Sequence, residues 1–140
     1  VAFHTPAAAY FADSSNWVIS YTNDEWQLPT WAVESALITA RIAALTGDSN
    51  ATALLRNAVD AAERAFSPAH VRKAIVFAAH AFAALQPELA ARLAQVITDD
   101  PRAYHNDRVS AQALVAQLGT PQQLFASTDE ALIAVRQALA

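Results

Sequence analysis

SPAHVRKAIVFAAHAFAAL, running from Ser67 to Leu85, is the stretch on which the reading of the fold turns. Ser67 and Pro68 have the chemistry of a helix start. A serine oxygen accepts an orphan backbone N–H, and a proline ring supplies a helical φ where its own N–H is not needed. Val71, Ile75, Ala78, Phe82 and Leu85 then follow at helical spacing. Alanines and Phe77 extend the apolar character around most of the circumference, as in a helix enclosed on nearly every side. The stretch therefore predicts a central helix with the rest of the chain packed around it.

Working outward, Leu55, Val59, Ala62 and Phe66 mark the stripe of a preceding helix, and Arg56, Asp60 and Arg64 lie opposite as a charge ladder of ordinary solvated kind. Asp48, Ser49 and Asn50 offer its N-cap. Before them, Gly47 stops an earlier helix in which Trp31, Ile38, Ile42 and Leu45 fall at helical spacing. Thr5-Pro6 opens a short helix to about Asp13, and the segment from Ser14 to Leu28 is compatible with extended chain or a helical turn. Toward the other end, Pro87 restarts a helix to about Ile97, and Asp100-Pro101 starts another that stops before Gly119. Thr120-Pro121 and Thr128-Asp129-Glu130 open two short final helices.

Alanine is abundant, glycine occurs only twice, and β-branched residues never alternate long enough to suggest a sheet. The predicted fold is all-α: an array of antiparallel helical hairpins with about six to seven helices. A short α-solenoid is the alternative arrangement. Three helices end in similar leucines, Leu45, Leu85 and Leu118, but their spacings of 40 and 33 residues are irregular for a repeat. One domain is expected, with residues 1–28 packed on or capping a helical body formed by 29–140.

Composition narrows the function classes. The absence of cysteine excludes disulfides, thiol catalysis and cysteine-ligated metals. Methionine is absent even at position 1, so the chain is expected to be processed, trimmed or excerpted, and a removed signal peptide would leave no trace here. A cytoplasmic protein is the simplest expectation. The stretch from Ala74 to Leu85 is too short and too interrupted by His80 to span a bilayer, so no membrane partner is expected. A net charge of −4 argues against nucleic acid, which demands clustered Lys and Arg.

That charge is unevenly placed. No Lys or Arg precedes Arg41, whereas Asp13, Asp24, Glu25 and Glu34 are acidic; from Arg41 onward nine acids balance nine bases. Seven of the twelve aromatics also lie in the first 40 residues. Large rigid aromatics among acids suit a binding surface, so Trp17, Tyr21, Asp24, Glu25 and Trp26 are the candidate partner-binding residues. The competing reading is that these rings fill grooves left by small alanines.

Chemistry-bearing residues are dispersed. His70 and His80 share a helix but lie about 15 Å apart along it, and no His-x-x-x-His or Glu-x-x-His spacing occurs, so no metal site is expected. Lys73 is the only lysine and sits one turn from His70. Tyr104-His105-Asn106-Asp107-Arg108 is the densest polar cluster, on what is expected to be exposed helix surface. Glu34 and Arg41 lie two turns apart on one face, too far for direct contact. No glycine-rich phosphate loop or nucleophile elbow is present, and no cofactor is implied.

Two functional expectations follow. The first is a non-enzymatic helical protein-interaction module (an adaptor, an immunity-type inhibitor or an assembly subunit) with a protein partner, a homo-oligomer being compatible. The second is a small helical-bundle enzyme or ligand-binding protein whose pocket assembles from His70, Lys73, His80, Tyr104 and His105.

Overall fold

A computed structural model describes residues 29–140. These form six helices: α1 Thr30–Thr46, α2 Ala51–Arg64, α3 Pro68–Phe82, α4 Pro87–Thr98, α5 His105–Leu118 and α6 Thr128–Leu139. No strand occurs among the described residues. The all-α expectation holds.

Helix α3 packs against each of the other five. Ala74, Ile75, Val76, Ala78 and Ala79 are all at most 1% exposed, as an enclosed helix requires. Alanine lets neighbouring backbones come close, and the bulk is supplied by Leu37, Val59, Leu93, Ile97 and Val135 from the surrounding helices. Helices α1 to α5 pack in chain order, each against the next. Helix α6 returns across the array to α2, α3 and α4, so the arrangement closes on itself and does not extend as a solenoid would. Arg136 fastens this return, reaching Asp60 at 2.7 Å and also Glu63 on α2. Arg56 donates to the Leu139 carbonyl from the same face. The presumed solvated ladder of α2 thus carries part of the α2–α6 contact.

Several boundaries follow local chemistry. Ser67 caps α3, its oxygen accepting from the His70 N–H. Gly47 adopts φ 71°, and the Asp48 N–H reaches back to the Ala43 carbonyl at 2.9 Å, closing α1 in the left-handed manner. Ser127 and Glu130 form a capping pair at α6: Ser127 Oγ accepts from the Glu130 N–H, and Glu130 Oε2 accepts from the Ala126 N–H.

Other boundaries differ from expectation. Asp100-Pro101 starts no helix, because the Asp100 carboxylate turns inward to Arg72 and accepts from the Arg102 N–H. That closes a single turn, and α5 begins only at His105. Thr120-Pro121 starts none either. Gly119 takes a positive φ of 95° with ψ 156°, a backbone conformation open mainly to glycine, and the chain runs on irregularly to Ser127, laying Phe125 under Arg92 with the guanidinium 4.0 Å from the ring centre. Helix α3 ends at Phe82 in a turn that leaves Leu85 exposed. Phe66, placed by spacing on the buried stripe of α2, falls past that helix's end with φ 53° and is exposed. The helix from Thr5-Pro6 lies outside the described residues.

Candidate interaction surface

Helix α1 is apolar on two sides. Its inner face, Ala32, Val33, Leu37, Ala40 and Ala43, is buried against α2 and α3. The stripe singled out by spacing lies on the opposite side: Ile38 is 55% exposed, Ile42 56% and Leu45 75%, with Trp31 half-exposed at its start. The helix was legible, but its inward face was not. A helix with apolar residues all round is normally covered all round, so the outer face has the character of a contact surface.

The pattern of this face is regular. Trp31, Ser35, Ile38, Ile42 and Leu45 alternate in steps of four and three, the spacing of a helix–helix seam. On one edge, Thr39 Oγ1 donates to the Ser35 carbonyl at 2.8 Å and Thr46 Oγ1 to the Ile42 carbonyl at 2.9 Å. Their hydroxyls are thereby satisfied within the helix, so covering that edge orphans neither donor. The other edge carries Glu34 and Arg41, both exposed. Glu34 Oε1 lies 3.4 Å from His70 Nε2, and Arg41 sits 5.2 Å from the centre of the Phe77 ring.

At the Leu45 end the face meets a groove of about 470 Å³. Arg41, Leu45, Leu55, Phe77, His80 and Leu85 contribute to its walls. His80 Nε2 lies 2.8 Å from Ser110 Oγ on α5. Partial burial and the nearby Arg41 charge both hold the imidazole below its ordinary pKa, favouring the neutral ring.

His70, Lys73, His80, Tyr104 and His105 are the residues expected to line an alternative pocket. Of the five, His80 alone lines this groove. Nδ1 of His70 lies 2.6 Å from Ser67 Oγ, and with Glu34 this forms a serine–histidine–carboxylate line. These are the residue types of a nucleophile relay. Here the serine oxygen is also the cap of α3, and the line braces α3 to α1. Lys73 reaches Asp107 at 2.9 Å. Tyr104 and His105 are exposed at the start of α5. Trp17, Tyr21, Asp24, Glu25 and Trp26 lie outside the described residues.

Sequence reasoning passed over two buried acids. Asp107, one residue of the cluster expected on exposed surface, is 4% exposed and receives Lys73. Asp100 is 7% exposed and receives Arg72 Nε at 2.9 Å. Their partners are 28 and 34 residues away in sequence, so no local pattern marks either pair. Arg72, Asp100 and Arg102 border a second cleft of about 680 Å³. Two cations already share one carboxylate there, which makes the cleft a poor anion site.

No protein-family model, no curated protein and no solved structure matches the chain. No described helix is long and apolar enough to cross a membrane.

Proposed function

We propose that this chain is a non-enzymatic helical interaction module, of the adaptor or assembly-subunit kind, whose contact face is the outer side of α1. One observation carries the reading: Ile38, Ile42 and Leu45 stand exposed in a regular seam on a helix whose opposite face is already buried. Leaving three large aliphatic side chains in water on one face forgoes about 1.5–3 kcal/mol of burial for each, which a bound partner recovers in part. Trp17, Tyr21, Asp24, Glu25 and Trp26 are proposed to extend the same function.

The test compares the wild-type chain with Ile38→Glu/Ile42→Glu in affinity capture from its native host. Helicity should be unchanged in the variant, because both positions are exposed. Captured proteins should be lost with the variant. An identical set captured by both forms would remove the outer face of α1 from any interface.

A further inference from the structure

We infer that the partner of the outer face of α1 is α1 of a second copy of this chain, laid antiparallel across it. The inference rests on the interaction-module reading and names the partner for the same surface. Three features of the face select this occupant.

First, the four–three alternation from Trp31 to Leu45 is the pattern by which one straight helix receives another, side chains of each entering gaps of the other. An extended strand or a small ligand would make no use of it.

Second, the face is complementary to itself. Glu34 and Arg41 carry opposite charges on the same edge, seven residues apart. A two-fold axis near Ile38 places Glu34 of each copy beside Arg41 of the other, twice over, as an isologous contact requires. Such a pairing brings Ile38 of both copies to the axis and Ile42 of each toward the Trp31 end of the other. In a parallel pair the charged edge would instead face Thr39 and Thr46, and the charges would gain nothing. Charge therefore selects the antiparallel orientation.

Third, the edge opposite the charges tolerates drying. The Thr39 and Thr46 hydroxyls are bonded to their own helix, leaving methyl groups for contact. Glu34 keeps half of its side chain exposed despite His70, so it remains accessible to a second copy.

The size of the face sets the strength. One helix against one helix buries less than the ~800 Å² per partner of a standard interface, so the dimer is weak and concentration-dependent.

The experiment is sedimentation equilibrium of the purified full chain over a wide concentration range, with circular dichroism confirming helicity throughout. A reversible monomer–dimer equilibrium is expected. Ile42→Glu should raise the dissociation constant at least tenfold, roughly the loss of one aliphatic contact per copy. Glu34→Arg and Arg41→Glu should each weaken the dimer by about tenfold, since each sets like charges together twice. Mixing those two variants should restore association as a heterodimer, because every cross-pair is again of opposite sign.

A chain that stays monomeric throughout overturns the inference, as does a dimer indifferent to Ile42→Glu. Weakening by Ile42→Glu without rescue in the charge-variant mixture overturns the antiparallel arrangement. If the purified chain is monomeric while Ile38→Glu/Ile42→Glu still abolishes capture of other proteins, the contact face stands and only the second copy falls. If neither measurement responds, both readings fall.

Discussion

Asp100 shows how much one carboxylate can organise. It accepts from Arg72 Nε at 2.9 Å and, at its other oxygen, from Arg102 through both backbone and side chain. Burial alone would raise its pKa, but the Arg102 hydrogen bonds and the two guanidinium charges outweigh that and lower it. The folded state therefore holds the proton less tightly than the unfolded chain. This contribution to stability is present above about pH 4 and is lost as pH falls through the lowered folded value. Asp100→Ala should flatten the acid limb of a stability–pH curve and cost about 3 kcal/mol in urea denaturation near neutrality, by leaving Arg72 buried and uncompensated. Replacing both partners, as Arg72→Met/Asp100→Leu, should cost distinctly less. Equal losses in the two variants would show that the pair itself is not the source. His80 gives a second pH effect of the same sign. Its pKa is lowered by burial and by Arg41, so the unfolded chain takes up a proton first, and stability declines as pH falls below about 6.5. Thermal melts of His80→Gln should lose less between pH 7.5 and pH 5.5 than melts of the parent chain.

Among the helices, stops and starts were legible wherever a residue had only one local use. Gly47 occupies the left-handed region at φ 71° with open space around it, so an added methyl group meets strain and no clash. Gly47→Ala should cost about 1 kcal/mol in chemical denaturation, and no change would mean that the turn relaxes. Ser67→Ala should cost about 1 kcal/mol for the lost cap and should also free the His70 ring, visible as a shift in its imidazole resonances. Asp100-Pro101 and Thr120-Pro121 carry the same helix-start signature as Ser67-Pro68, yet neither starts a helix. The Asp100 carboxylate was claimed by Arg72 from α3, and the chain after Gly119 must cross to α6. Helix α1 carries large apolar residues on one side and mainly small ones on the other, and spacing alone does not say which is buried; α2 and α3 bury the alanine-rich side around Val33 and Leu37.

The molecule as a whole is organised around α3, which touches every other described helix. Ile75, wholly buried there, should cost about 2–5 kcal/mol when cut to alanine. Because every described helix leans on α3, Ile75→Ala should lower the denaturation midpoint of the entire helical signal in one transition. Separate melting of α1 or α6 would show that the hub does not couple them. The sequence by itself determined the helical class, the enclosed helix from Ser67 onward, and most of the punctuation, because spacing, capping and glycine chemistry act within a few residues. Tertiary structure alone decided which side of α1 faces inward, where α6 packs, and that Asp100 and Asp107 are buried beside cations. Those outcomes depend on groups from other helices, 28 and 34 residues away for the two buried acids, and a local pattern carries no information about which surface will arrive.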